Sequence, residues 1–226
     1  MTRNLKRLGI ASLAIVAMGA MVASAAQAVT PTLVAGGAGT VVGSQVGGHD
    51  ITVGARAVTC KEVLFSGSTA VSQTTLTLTP EYKGCNTTPV LGVSLFVTIT
   101  MNSCDYLFTS LSHNAAAGDY DANLSILCPG TSKIEIHMYN NSGEGSEVCT
   151  ITIESDQTDK SGNTITNVAG SPNDLLIHHN FKFKVENHGN QVICGAATSE
   201  SEYHGTTTLK AFAGTVQTTL TAVTDA

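Results

Sequence analysis

Residues 104–108 read CDYLF and residues 124–128 read LSILC, and these two stretches decide the fold. In each of them a cysteine and two large apolar side chains occupy alternate positions, as in a strand with one buried face. Opposed residues of an antiparallel pair have a constant index sum, and a sum of 232 places Cys104 opposite Cys128. Directly opposed strand residues have a Cα separation that suits a disulfide. The two stretches therefore predict a hairpin closed by a disulfide.

The chain has six cysteines, an even number that is typical of a disulfide framework. Three structural disulfides point to an oxidising compartment. Six cysteines allow fifteen pairings, and the sequence alone does not select one. With Cys104 and Cys128 paired, elimination and chain order favour Cys60 with Cys85 and Cys149 with Cys194.

Strand-like alternation recurs along the rest of the chain, and helical periodicity is scarce. The alternating runs are residues 74–79, 93–101, 134–139, 149–154 and 181–186. Many short strands separated by turns predict an all-β fold, an antiparallel β-sandwich or a barrel-like domain, over residues 57–226. Residues 29–56 are rich in Gly, Val and Ala, and we interpret them as an N-terminal arm or a first strand.

The first 28 residues have the three parts of a secretory signal peptide. Arg3, Lys6 and Arg7 precede an apolar run, and residues 26–28 read AQA, an A-x-A cleavage site. The apolar run is short for a membrane span, which needs about 20 residues. We therefore expect a secreted, extracellular protein with no membrane span after cleavage; the alternative is an uncleaved N-terminal anchor.

The composition restricts the class of partner. The formal net charge is −6 at pH 7, and charged residues are only 12% of the chain. An acidic surface argues against nucleic acid and against anionic lipid as partners. Extracellular proteins and components of the cell envelope remain as candidate partners.

Seven motifs form an ordered series along residues 59–211. They are TC-x(4)-FSG at 59–67, LTLTPEYKGC at 76–85, VTITMNSCDYLFT at 97–109, ILCPG at 126–130, KIEI at 133–136, CTITI at 149–153 and YHGTTTLKA at 203–211. This series resembles a group of uncharacterised secreted proteins from actinobacteria. The resemblance implies a secreted, disulfide-bonded β-protein, and it carries over no catalytic or binding residue.

Histidines are the first candidates for a metal site. His178 and His179 lie beside a predicted strand, and His137 lies on the polar face of another. If the two strands pair, imidazoles could converge on zinc, with His188 or His204 as a further ligand. Adjacent strand residues point to opposite faces, so only one of His178 and His179 could take part. The alternative is a set of ordinary exposed histidines.

An acidic stretch is the second candidate. Asp119 and Asp121, followed by Asn123, match the opening of a calcium-binding loop. The glycine expected next is Leu124, and no bidentate Glu follows at the right distance. A second oxygen-rich turn contains Asp156, Asp159 and Asn163; ordinary solvated turns are the alternative in both cases.

No motif of a known catalytic mechanism is present, so no residue is assigned a catalytic role. There is no G-x-S-x-G nucleophile elbow, and paired cysteines cannot act as thiols. The sequence therefore favours a secreted, non-enzymatic β-domain with a structural, envelope-associated or ligand-binding role and no cofactor. Two alternatives stay open: a secreted hydrolase with a site built from loops around His137 and His178, and a calcium- or metal-binding module.

Overall fold

A computed structural model describes residues 31–53, 56–89, 94–140, 145–189, 194, 196 and 198–224. They contain eighteen β-strands, and every pairing between these strands is antiparallel. The predicted signal peptide, residues 1–28, lies outside these ranges. Within them, no helix has the length and apolar character needed to cross a membrane.

The strands up to residue 100 are β1 (Thr32–Ala35), β2 (Gly39–Gln45), β3 (His49–Val53), β4 (Arg56–Cys60), β5 (Glu62–Thr69), β6 (Ser72–Gln73), β7 (Leu76–Lys83), β8 (Cys85–Thr87) and β9 (Phe96–Thr100). The later strands are β10 (Asp105–Asn114), β11 (Asp119–Leu127), β12 (Ile134–Tyr139), β13 (Glu147–Ile153), β14 (Gln157–Asn167), β15 (Asp174–Gly189), β16 (Thr198–Ala213), β17 (Val216–Thr218) and β18 (Leu220–Val223).

The antiparallel pair of β15 and β16, here called the β15–β16 ribbon, is shared by two closed rings of strands. The first ring runs β16-β2-β5-β7-β10-β11-β14-β15, and the second runs β15-β13-β12-β9-β8-β4-β3-β16. The opposite sides of the rings enclose one apolar core, which gives a sandwich-like fold. The predicted all-β, antiparallel class is confirmed. A separate sheet, β18-β1-β6, adds three strands, and β18 packs against β14, β15 and β16.

Strand β15 shows why this sequence forms strands. Every second residue from Leu175 to Val185 is buried, and the residues between them are exposed or half-buried. Burial of a large apolar side chain contributes about 1.5–3 kcal/mol, so the period of two is stabilised only by a sheet with one face on the core. The outward positions include Lys182 and Lys184, which lie on the surface of the ribbon.

The N-terminal segment is more structured than the sequence predicts. Residues 32–53 form three strands: β1 in the small sheet, β2 in the first ring and β3 in the second. Strand β2 pairs with β16 and β5, and β3 pairs with β16 and β4. The sequence predicts an N-terminal arm or a first strand over residues 29–56, and the structure describes three strands there, β1, β2 and β3. The Gly-rich strand β2 carries little local signal, and its pairing with β16 and β5 decides its strand character.

All three predicted disulfides are present: Cys60–Cys85, Cys104–Cys128 and Cys149–Cys194. Their Cα separations are 3.9, 4.1 and 5.6 Å, respectively. Within the hairpin of β10 and β11, Tyr106 lies opposite Ile126 and Phe108 lies opposite Leu124, as the constant index sum requires. The first two bridges join chain segments that are close in sequence, and the third closes the longest loop.

Candidate functional site

The outer edge of β15 changes partner between the two rings. Strand β14 pairs with β15 as far as His178, and β13 pairs with it from Glu186 onward. Residues 179–185 lie between these two ladders, with no described strand paired on that side. This gap marks the place where the first and second rings separate.

Side chains of β14 bond to the main chain of β15 across part of this gap. The N–H groups of alternate β15 residues are the donors. The Asn180 N–H donates to Asn163 Oδ1 at 3.1 Å. The Lys182 N–H donates to Asp159 Oδ2 at 2.6 Å, and the Lys184 N–H donates to Gln157 Oε1 at 2.5 Å. Gln157 Nε2 also donates to the Lys184 carbonyl at 2.9 Å. These bonds supply partners that a neighbouring strand would otherwise provide. They hold the edge of β15 in place without closing the gap.

A groove of about 820 Å³ opens at this gap. Phe183 and Val185, whose side chains point toward the core, contribute to its lining. Lys182, Lys184 and Glu186 line it from the outer face of β15, and Glu200 lines it from β16. A concave surface with apolar lining and a few polar groups is typical of a ligand-binding site.

The charged groups around the groove have both signs. Lys182 Nζ lies 3.0 Å from Glu202 Oε1, and the hydrogen bond to this carboxylate raises the pKa of Lys182. Glu154, which also lines the groove, pairs with Lys133. Lys184 lies directly opposite Glu200 in the ribbon. The groove can therefore offer ammonium and carboxylate groups to the same ligand.

A second cluster lies inside the fold, behind the ribbon. This interior His–Tyr cluster consists of His49, Tyr82, Tyr106, His179 and Tyr203, all of them buried. Its ring contacts place His49 5.7 Å from His179 and 5.5 Å from Tyr203, between ring centroids. His49 is the first residue of β3 in the second ring, and His179 lies on β15, which the two rings share. The cluster therefore lies at the junction of the rings.

The hydrogen bonds of the two buried histidines differ. The Tyr203 hydroxyl donates to His49 Nδ1, and His49 Nε2–H donates to the Thr206 carbonyl at 2.8 Å. His179 Nε2 lies 2.9 Å from Thr207 Oγ1, whereas its Nδ1 has no hydrogen-bond partner among the described residues. Burial lowers the pKa of His49 and lowers that of His179 well below its ordinary value. Both imidazoles are therefore neutral at pH 7.

The tyrosines extend this network. The Tyr82 hydroxyl lies 2.8 Å from the Tyr106 hydroxyl and is also hydrogen-bonded to Tyr203. Burial raises the pKa of all three phenols well above the ordinary value. A line of neutral polar groups thus runs from Tyr106 through Tyr82 and Tyr203 to His49.

Histidines proposed as metal ligands fall into separate places. His137 on β12 and His188 on β15 both lie opposite Thr150 of β13, so they are two strands apart, about 10 Å. His178 is ten residues from His188 on the same strand, about 33 Å away. Strands β12 and β15 are not paired within the described sheet. The structure therefore does not bring His137 and His178 together on paired strands.

The remaining histidine predictions have mixed outcomes. His178 is exposed and His179 is buried, which confirms that adjacent histidines on this strand point to opposite faces. His204 lies opposite Asn180, one diagonal step from His178 on the outer face of the ribbon. His137 lies between two carboxylates, with Glu147 Oε2 3.3 Å from Nδ1 and Glu135 Oε2 3.8 Å from Nε2.

The predicted calcium loop is a strand. Asp119 and Asp121 belong to β11, opposite Asn114 and Ser112, so their oxygens do not curve around a common centre. Asp159 and Asn163, from the second acidic turn, also lie on a strand, β14. Across the part of the chain that the structure describes, no group of three or more His, Cys, Asp or Glu side chains is placed to hold a metal ion.

The sequence did not predict the groove or the interior His–Tyr cluster, although His179 of that cluster was considered as a metal ligand. The groove depends on where β13 and β14 end beside β15, and the sequence carries no local signal for that. Alternation does place Lys182, Lys184 and Glu186 on one outward face, which was visible in the sequence. His49 follows two glycines in a segment interpreted as an arm, so its burial could not be anticipated.

No family model, curated protein or solved structure matches this chain. The candidate sites are therefore judged on their own geometry and chemistry.

Proposed function

We propose that this chain is a secreted, non-enzymatic binding domain that acts outside the cell, in contact with components of the envelope. The observation that carries the proposal is the groove between β13 and β14, where Phe183 and Val185 lie behind exposed lysine and glutamate side chains. Its volume of about 820 Å³ is within the range of pockets that bind small ligands. The continuous ladder between β15 and β16 makes the base of the groove rigid.

The charges around the groove suggest the chemistry of the ligand. Ammonium groups come from Lys182 and Lys184, and carboxylates come from Glu154, Glu186 and Glu200. A ligand that carries both amino and carboxyl groups would complement both signs, whereas a neutral glycan would use only hydrogen bonds. Fragments of peptidoglycan that contain a stem peptide have both groups, and we propose them as the ligand class.

The proposed location rests on three features. Residues 1–28 have the pattern of an export signal, the mature chain carries three disulfides, and the motif series resembles secreted actinobacterial proteins. Disulfides persist in oxidising compartments, which supports an extracellular domain.

The test is a thermal-shift panel on the mature, oxidised protein. The probes are muropeptides, the matching neutral glycan without peptide, calcium, zinc and EDTA. A ligand at 100 times its Kd adds about 2.7 kcal/mol to the free energy of unfolding, which raises Tm by a few degrees for a domain of this size. We expect a shift with muropeptides and none with the glycan.

A pair of variants locates the binding site. Lys184→Glu reverses a charge in the groove, and the matched control Lys61→Glu reverses an exposed charge in the connection between β4 and β5. The muropeptide shift should be lost in Lys184→Glu and retained in Lys61→Glu. A shift that survives Lys184→Glu would place binding elsewhere, and a panel with no muropeptide shift would refute the ligand class. A shift with calcium or zinc that EDTA reverses would favour a metal-binding module instead.

A further inference from the structure

We propose that His49 and His179 form an acid-sensitive latch at the junction of the two rings, which releases β3 from β16 when both imidazoles gain a proton. This inference is independent of the proposed ligand. It rests on where the two histidines lie, what each ring nitrogen contacts, and how few bonds join β3 to β16.

The latch lies where β16 changes partner. Strand β2 ends its pairing with β16 at Thr207, and β3 begins its pairing at His204. The connection between β2 and β3 is anchored at one carbonyl, that of Thr206, which accepts from the Val46 N–H at 2.7 Å and from His49 Nε2 at 2.8 Å. The imidazole of His49 thus fastens the connection to the ribbon.

His49 has a fully satisfied neutral form. With Nε2–H donating to Thr206, Nδ1 accepts from the Tyr203 hydroxyl. A proton on Nδ1 would turn that acceptor into a donor, and the Tyr203 hydroxyl would have to reverse. Its hydrogen would then point at Tyr82, and Tyr82 would have to reverse toward Tyr106. Protonation therefore reorients a buried chain of hydroxyls that was satisfied before.

His179 is still less suited to carry a charge. Its ring stacks on Phe65, with centroids 5.3 Å apart and planes 9° apart, and the edge of Phe108 lies on another side. No carboxylate in the described residues forms an ion pair with it. A charge on His179 would also lie 5.7 Å from one on His49, between ring centroids. An unpaired charge in such surroundings is strongly disfavoured, and two of them are worse.

The other titratable groups near His49 and His179 do not reduce the cost of charging these two imidazoles. Tyr82, Tyr106 and Tyr203 are neutral, and His178 on the opposite face of β15 adds positive charge when protonated. Among the residues that the structure describes, Asp50 is the carboxylate that favours the charged form of His49, and Thr59 donates a hydrogen bond to it on the exposed side. Both histidines therefore gain protons more readily after the junction opens.

The junction is also the place that can open locally. The ladder between β3 and β16 contains three residue pairs, at Thr52, Ile51 and Asp50 of β3. The short ladder between β4 and β8 is held by the Cys60–Cys85 disulfide, whereas no disulfide joins β3 to β16. Acid should separate β3 from β16 while the first ring keeps its pairing.

The expected size follows from proton linkage. A histidine whose folded pKa is depressed binds its proton more weakly in the folded state than in the open state, so opening becomes more favourable as pH falls below the open-state pKa of about 6.5. Between pH 7.4 and pH 5.0, one such imidazole raises the opening constant by at most about 30-fold, and two independent ones raise it by at most about 800-fold.

Hydrogen–deuterium exchange of the mature, oxidised protein at these two pH values tests the proposal, with rates corrected for the pH dependence of intrinsic exchange. We expect protection to fall in peptides covering residues 46–53 and 200–207 and to persist in β7, β10 and β11. His179→Phe or His49→Gln should each leave the smaller effect of one imidazole, at most about 30-fold, and the double variant should abolish the acid effect. The matched control, His188→Gln on the exposed end of β15, should keep the full effect. An acid response that is uniform over the chain, or unchanged in the double variant, would overturn the latch.

A measurement on the wild-type protein covers the case in which a variant does not fold. The imidazole C–H resonances of the native protein should show two histidines that do not titrate at their ordinary pKa. If all seven histidines of the folded protein titrate at or above pH 6.5, the buried pair accepts protons without opening, and the proposal fails.

Discussion

Gly205→Ala should destabilise this protein far more than a glycine-to-alanine change usually does. Gly205 lies opposite His179 in the ribbon, and the ring of His49 packs over it. A Cβ at this position would lie 2.5 Å from Nδ1, 2.6 Å from Cγ and 2.7 Å from Cε1 of His49. These distances are too short for any carbon contact, so the ring must leave its place. The loss of stability comes from the lack of room for a Cβ atom and not from strain in the backbone of residue 205.

The magnitude follows from what the His49 ring gives up. Overpacking of a core costs about 1–3 kcal/mol. The displaced imidazole also loses its bonds to Tyr203 and Thr206, each worth about 1 kcal/mol. The free energy of unfolding should therefore fall by about 3–5 kcal/mol, a large part of the 5–15 kcal/mol of a typical domain.

The assay is guanidinium unfolding of the oxidised protein, with Gly48→Ala as the matched control. At Gly48 the nearest heavy atom to a new Cβ is Asp50 Oδ2 at 3.9 Å, so this change should cost less than about 1 kcal/mol. A double-mutant cycle isolates the clash, because Gly205→Ala should cost little once His49 is replaced by Ala. Equal costs for Gly205→Ala and Gly48→Ala, or additivity of Gly205→Ala with His49→Ala, would refute the reasoning.

Two further predictions concern stability. Asn167 holds the main chain of Ala222 in β18, because its Nδ2 donates to the Ala222 carbonyl and its Oδ1 accepts from the Ala222 N–H, both at 2.8 Å. Asn167→Ala should lower the free energy of unfolding by about 1–3 kcal/mol in chemical unfolding and increase hydrogen exchange of β18. Unchanged hydrogen exchange in β18 would contradict this role of Asn167. Changing both Cys104 and Cys128 to Ala removes a bridge that spans 24 residues. By the loop-entropy relation, this should lower the free energy of unfolding by about 3.5 kcal/mol. A loss under 1 kcal/mol would show that the hairpin of β10 and β11 already restricts the unfolded chain.

The latch and the charged side chains of the groove lie on opposite faces of one strand, which makes β15 the element that both proposals share. His179 points inward, and Lys182 and Lys184 point outward a few residues further along. The two proposals can be separated by experiment, because Lys184→Glu should change ligand binding without changing the acid response. His179→Phe should change the acid response and leave Lys184 in place.

The hairpin of β10 and β11 was predictable in register as well as in type. Two apolar residues and one cysteine in each arm allow one index sum that pairs all six with one another on one face, and a slip by one residue would turn one arm to solvent. The same local rule predicted the opposite exposure of His178 and His179. Neither conclusion needed knowledge of any other strand.

Local rules failed for the N-terminal strands and for the proposed metal sites. Residues 39–48 contain four glycines and no run of large apolar side chains, so their strand character depends on pairing with β16 and β5. Asp119 and Asp121 match the opening of a calcium-binding loop, but the same residues also fit the alternation of a strand. Tyr120 and Ala122, buried at the intervening positions, show that the alternation of a strand was present.

The amino-acid sequence by itself determined the all-β class and the register of the central hairpin with its Cys104–Cys128 disulfide, because each depends on residues that alternate or pair at short range. The other two pairings, Cys60 with Cys85 and Cys149 with Cys194, were only favoured by elimination and chain order, and the structure confirms them. The two closed rings, the groove at residues 179–185 and the burial of His49 beside His179 were decided only by tertiary structure. They arise because β15 and β16 are longer than any other strand that pairs with them, so each must take two partners along its outer edge. Where one partner ends and the next begins depends on contacts between segments up to about 150 residues apart, such as His49 with Tyr203, and no local pattern encodes such a contact.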